Sequence, residues 1–124
     1  MAAPNIVNVT TILGKTFYLT PSNTTANVLL ANAVSSGKVL KINQIVAANV
    51  NGSAAVTATV ALNSAAAGSG TSYPVASAIS VPANASLIVT DKTTAIYLEE
   101  DKSIVVTSGT SSGITYTISY EEIN

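Results

Sequence analysis

The sequence predicts an all-β chain: a single antiparallel β-sandwich, of jelly-roll or immunoglobulin-like kind, with about eight strands. Three observations predict it. Apolar residues recur at every second position in most segments. The clearest case is Ile114, Tyr116, Ile118 and Tyr120, with Thr115, Thr117, Ser119 and Glu121 between them. Alternation of this kind marks a strand with one buried face. Turn chemistry (Pro, Gly, Asn, Ser) interrupts the pattern roughly every 8–15 residues. Helical spacing is not sustained anywhere. A chain of 124 residues reads as one domain, 1–124, long enough to bury about two-thirds of the surface its unfolded form exposes.

The elements follow in order. Residues 1–5 are expected to form an extended arm. Ile6–Leu13 alternates weakly, and Gly14 is expected to end it. Thr16–Thr20 reads as a short strand with Phe17 and Leu19 on one face. Pro21-Ser22-Asn23 is turn chemistry. Ala26–Ala33 fits strand or short helix; Ser35-Ser36-Gly37 closes it within a strand's length, which favours strand. In Lys38–Val50, Leu40 and Ile42 share one parity while Ile45 and Ala47 share the other. Either both faces are covered or a bulge near Asn43-Gln44 resets the register. Asn51-Gly52 is a strong hairpin signal, because both central positions of a type I′ turn need positive φ. It makes Ala54–Asn63 the return strand.

Ser64–Ser72 reads as a flexible loop of small residues, with a helical turn at its alanines as the alternative. Tyr73–Val81 contains Pro74 and is followed by Pro82, which cannot donate to a ladder, so this strand lies at an edge or is interrupted. Leu87–Thr90 reads as a short buried strand and Asp91–Thr94 as a loop. Ile96–Glu99 and Ser103–Ser108 are strands split by the charged bend Glu100-Asp101-Lys102, and the alternating run from Ile114 is the last strand.

Composition narrows the function. Charged residues make up 9% of the chain, against roughly 25% in ordinary soluble domains. All five cations are Lys, and the net charge is −1. Without a basic cluster, nucleic acid is not an expected partner. A surface of Thr, Ser, Asn and Ala suits burial against other subunits, where charge is depleted at the interface core. No apolar run approaches the ~20 residues of a membrane-spanning helix, so no membrane is expected. The N-terminus lacks the basic start and apolar run of a signal peptide, so synthesis in a host cytoplasm is expected. Four N-x-S/T sequons, at Asn8, Asn23, Asn51 and Asn84, are expected by chance in a chain so rich in these residues.

The chain has no His and no Cys. That removes the usual general base, the Ser-His dyad and the thiolate nucleophile. No enzyme activity, cofactor or metal is expected. Gly68-Ser69-Gly70 is not followed by the Lys-Ser/Thr of a phosphate loop and reads as a connector. Glu99-Glu100-Asp101 and Glu121-Glu122 could offer oxygen ligands to Ca²⁺, but their spacing matches no calcium loop, and a solvated bend and an acidic strand end are the better reading. Tyr116 and Tyr120 alternate with isoleucines, as core or subunit-interface residues do. Tyr18, Tyr73 and Tyr97 fall off the main apolar parity and suit a partner surface, with a carbohydrate-stacking platform as the alternative. Phe17, Tyr97, Tyr116 and Tyr120 are the expected interface residues.

The second half resembles the small β-rich virion structural proteins of tailed bacteriophages, especially those of marine and cyanobacterial phages. The residues that carry the resemblance are Val81-Pro82-Ala83-Asn84-Ala85-Ser86-Leu87, Ile96-Tyr97-Leu98-Glu99-Glu100-Asp101-Lys102-Ser103-Ile104 and Ser119-Tyr120-Glu121-Glu122-Ile123. The Lys38–Asn51 segment is similar in kind. Where Gly-Asp is expected after Leu-Glu-Glu, this chain has Asp101-Lys102. The resemblance covers about two-thirds of the chain and brings no catalytic signature. It implies a non-enzymatic virion protein: a capsid decoration or cement subunit, or a neck, tail or fibre accessory. Its expected partners are a major capsid or neck and tail proteins and further copies of itself.

Overall fold

Alternating strands have one apolar face each, and two sheets stacked face to face bury those faces together. The computed structural model describes residues 5–124 and shows this arrangement. Nine strands are present: β1 (Ile12–Leu19), β2 (Asn27–Asn32), β3 (Val39–Asn49), β4 (Val56–Asn63), β5 (Ser72–Val81), β6 (Ser86–Thr90), β7 (Ile96–Leu98), β8 (Lys102–Ser108) and β9 (Ile114–Ile123). One sheet has the order β1-β9-β3-β6, with β7 also paired to β3; the other has the order β2-β8-β4-β5. Every pairing is antiparallel.

The pairings are nested. β4 pairs with β5, β3 with β6 and β7, β2 with β8, and β1 with β9. The chain is thus a long ribbon doubled back at the β4–β5 turn, then wrapped so that successive rungs fall in opposite sheets. This is the jelly-roll order. Between the sheets, Ile42, Ile45 and Ala47 of β3 and Ile114, Tyr116 and Ile118 of β9 meet Ala58 and Val60 of β4 and Ile104 and Val106 of β8. Each of these is fully buried.

Several expectations hold. The β3 register shifts between Ile42 and Gln44 against β9, so Asn43 is the extra residue of a bulge and both apolar pairs reach the core. β5 is an edge strand bonded only to β4, as Pro74 requires. Ile114, Tyr116 and Ile118 are buried and Tyr120 packs against the core.

Others are corrected. β1 runs straight through Gly14, and residues 5–11 form turns in place of a strand. A weak alternation is overridden where β9 offers an unbroken partner of matching length. Asn51-Gly52 joins no hairpin: β3 and β4 lie in different sheets, and neither residue has positive φ. Both edges of β3 are already taken, by β9 and by β6 and β7, so β4 has no edge to pair with. Asn51 instead accepts from the Ser53 N–H and hydroxyl, both at 3.0 Å, to turn the chain across the sandwich. Ile88, in the segment expected to be buried, is 59% exposed. The expected N-terminal arm lies outside the described residues except for Asn5, whose Oδ1 accepts from the Val7 N–H at 2.9 Å.

The loop after β4 is anchored, contrary to its flexible composition. Gly68, at φ +76, presses against the outer face of the second sheet, where a Cβ would lie 2.8 Å from Val28 Cγ2 and 3.3 Å from Val105 Cγ1. A left-handed backbone at a close approach is a position for glycine. Val105, on that outer face beneath Gly68, is only 4% exposed.

Candidate assembly surface

β1 is the strand least covered by the rest of the molecule. It is bonded only to β9, through an unshifted eight-residue register from Ile12↔Ile123 to Leu19↔Tyr116. Opposed residues share a sheet face. Leu13, Lys15, Phe17 and Leu19 therefore share the core-facing side with Tyr116, Ile118 and Tyr120, and Ile12, Gly14, Thr16 and Tyr18 share the outer side. Seven of the eight residues are exposed. Of the core-facing residues, Leu19 packs against the core between the sheets, while Leu13 and Phe17 face inward yet stay about half exposed. Ile12 and Tyr18 are exposed on the other side, and the Phe17 and Tyr18 rings lie 6.1 Å apart, nearly parallel.

The open edge of β1 also presents main-chain groups. Thr11 donates its N–H to the Asn124 carbonyl at 3.1 Å and accepts from the Asn124 N–H at 2.9 Å. An antiparallel ladder alternates between pairs that exchange both bonds and pairs that exchange none. Counting from Thr11, residues 13, 15, 17 and 19 bond to β9. The N–H and C=O groups of Ile12, Gly14, Thr16 and Tyr18 point away from it, toward no other strand among the described residues.

Glu122 holds the charge at this end of the sheet. It is 7% exposed, and its two oxygens accept from Lys15 Nζ and Lys38 Nζ, each at 2.7 Å. Hydrogen bonds from Lys15 and then Lys38 hold its carboxyl below the usual range. The same contact raises the Lys15 ammonium. Glu121 approaches Lys41 at 3.9 Å on the outer face, in the row that also contains Tyr97. Asp101 accepts from the Ala66 N–H at 3.2 Å and has φ +56, a conformation that glycine enters freely and Asp tolerates. Among the described residues, no group of three His, Cys, Asp or Glu side chains is placed to hold a metal ion.

This chain matches no protein-family model and no curated protein.

The expected interface residues divide. Phe17 and Tyr97, at 47% and 46% exposure, are on the surface. Tyr120 is half-buried, with its ring against the core. Tyr116 is a correction: it is fully buried and unavailable to any neighbour. Its hydroxyl donates to the Thr107 carbonyl at 2.6 Å and accepts from the Thr59 N–H at 3.3 Å, so a strand of one sheet is pinned to two strands of the other. Burial pushes its hydroxyl up to about 12. The exposed tyrosines do not form one platform. Tyr73 is in the second sheet, while Tyr18 and Tyr97 lie three strand steps apart in the first, at least ~14 Å.

Three buried residues carry roles that spacing does not reveal. Asn32, Asn49 and Asn63 end β2, β3 and β4, each no more than 3% exposed. Asn32 Nδ2 donates to the carbonyls of Lys38 (2.9 Å) and Leu98 (3.0 Å). Asn49 Nδ2 donates to Ala54 and Val81 carbonyls at 3.0 and 2.8 Å, which ties the crossover to the second sheet. Asn63 binds Gly70 through both its amide groups and so closes the β4–β5 loop. The signal available was an Asn ending an apolar run before a loop.

Proposed function

We propose that this chain is a non-enzymatic virion structural subunit of a tailed bacteriophage, a capsid decoration or cement protein that stabilises the particle by packing against its neighbours. The observation that carries the reading is β1, an eight-residue edge strand exposed on both faces with Ile12, Leu13, Phe17 and Tyr18 uncovered. Such an edge is a liability in a free monomer and a template for docking in an assembly. The low charge of the surface supports the same reading, because desolvating Thr, Ser and Ala against a neighbour costs less than desolvating Lys and Glu. The resemblance of residues 81–87, 96–104 and 119–123 to phage virion proteins supports it too. The fold alone does not choose, since two-sheet jelly rolls serve virus shells, lectins and cupins alike.

The test is quantitative mass spectrometry of purified virions of the phage that encodes the chain, with its copies counted against the major capsid protein. Copies in the hundreds are expected for a shell subunit. A dozen or so would move it to the neck, tail or fibre, and none would overturn the virion reading.

A further inference from the structure

We propose that β1 pairs with β1 of a second copy of this chain, antiparallel about a two-fold axis at Thr16, so that the first sheets of two molecules become one continuous sheet. Four observations carry this.

The edge is open and regular. Ile12, Gly14, Thr16 and Tyr18 point their N–H and C=O groups outward, and the strand has no register shift and no proline. The other edges are guarded. β5 contains Pro74 and a non-glycine residue at positive φ, Ala78 at +48, with two register shifts against β4. β2 is bulged between Val28 and Leu30. β6 and β7 are five and three residues long and share one side of β3. Prolines, bulges and short strands are the devices that block edge pairing, and β1 has none of them.

The strand is complementary to itself. With Thr16 opposite Thr16 of the partner subunit, three of the four outward-bonding residues meet one another: Gly14 faces Tyr18 of the partner subunit, Tyr18 faces the partner's Gly14, and Thr16 faces its twin, while Ile12 falls beyond the end of the partner's β1. These three pairs close about six main-chain hydrogen bonds. The side chains match in the same register. A Cβ on Gly14 would meet nothing within 4 Å, and Tyr18 is 70% exposed, so a tyrosine ring from one copy has bare space over the glycine of the other. Leu13 falls opposite the partner's Leu19, and Lys15 opposite the partner's Phe17, whose ring suits the lysine's methylene stem while the ammonium stays on Glu122. Thr opposite Thr is a favourable cross-strand pair.

The one charge that could keep copies apart is engaged. Lys15, the guard residue such edges use, is bound at 2.7 Å to Glu122 of its own chain. The net charge of −1 leaves little repulsion between molecules. The occupant is a second copy because the match is made by the strand's own order, Leu-Gly-Lys-Thr-Phe-Tyr-Leu, read against itself.

A single-strand contact is at the small end of specific interfaces, so a concentration-dependent dimer in the micromolar to millimolar range is expected. This goes beyond the particle reading and fails independently of it, since it concerns two molecules in solution. The experiment is sedimentation velocity across a concentration series, on the unaltered chain and on Thr16→Pro. The Thr16 N–H points outward, so proline there removes no main-chain bond to β9, only the hydroxyl contact with Ser119 at 3.1 Å, and circular dichroism and the melting temperature check that the variant stays folded. The unaltered chain should shift toward dimer as concentration rises, and Thr16→Pro should remain monomeric throughout. A register test accompanies it. The chain has no cysteine, so Thr16→Cys, whose Cα would lie about 5.5 Å from its twin, should form a disulfide dimer under mild oxidation. Gly14→Cys and Tyr18→Cys should link only when mixed. A chain monomeric at every concentration, a dimer that survives Thr16→Pro, or cross-linking of Lys15→Cys in preference to Thr16→Cys would each overturn the proposal.

Discussion

The Tyr116 hydroxyl sits between the Thr59 N–H and the Thr107 carbonyl, groups that face each other across β4 and β8. Removing it leaves those two groups with only each other in the ladder. Tyr116→Phe should therefore lose about 0.5–1.5 kcal/mol by chemical denaturation, despite the near-identical shape of the side chain. Burial raises the folded hydroxyl to about 12, above its ordinary value near 10. The unfolded chain gives up this proton first, so the contribution is whole below about pH 10 and is lost as pH climbs toward 12. The denaturation midpoint should drop between pH 9 and 11.5, and drop less in Tyr116→Phe. Glu122 behaves in the opposite sense. Lys15 and Lys38 lower its folded pKa, so its contribution is present above the ordinary carboxylate range, near 4.3, and fades as pH falls through the lowered value. Glu122→Gln should flatten the loss of melting temperature on acidification below about pH 5. Its effect at neutral pH should shrink in salt, because both lysines reach it from exposed positions.

Strands in this molecule end where an asparagine turns the chain. Asn32, Asn49 and Asn63 bond backbone groups of loops that have no ladder of their own, and a buried carbonyl or N–H without a partner is costly. Asn63→Ala should lower stability by about 1–3 kcal/mol, read from urea unfolding. It should also raise proteolytic cleavage within residues 64–71, because Asn63 holds both the Ala65 and Gly70 N–H groups at 3.0 Å. Asp91 performs a smaller version of the same task. Its side chain accepts from the Thr93 hydroxyl and N–H, caps the short helical turn between β6 and β7, and is held below the usual carboxylate range by those bonds.

The nested pairing sets the character of the whole molecule. β1 bonds to β9 and β2 to β8, so the first strands wait for the last, and most contacts span long stretches of chain. Topologies of this kind fold slowly, in milliseconds to seconds, because loop closure precedes the contacts that reward it. The same nesting places β1 at the margin of the finished sheet with both faces open, and assembly is what would cover it. On the virion reading proposed above, docking on a particle would stabilise the folded state by mass action. That reading predicts a higher melting temperature for the particle-bound chain than for the free chain at equal concentration, by scanning calorimetry of decorated and undecorated particles. Equal values would argue against a stabilising contact.

Strand identity was legible because alternation is local: Ile114, Tyr116, Ile118 and Tyr120 announce their shared face within seven residues. The β3 bulge was legible for the same reason, since the change of parity between Ile42 and Ile45 has no other cheap explanation. Pro74 placed β5 at an edge through a missing N–H. What the residues could not announce was partnership. Asn51-Gly52 has the local chemistry of a hairpin, yet both sides of β3 were claimed by strands far along the chain. Glu122 meets Lys15 and Lys38 across 107 and 84 residues, and no spacing rule reaches that far. Tyr116 and Phe17 lie on the same face of the first sheet, one sealed in the core and the other half exposed. The sequence by itself determined which faces are apolar; the tertiary structure decided which of those faces are covered, because coverage depends on how far the second sheet extends beneath each strand.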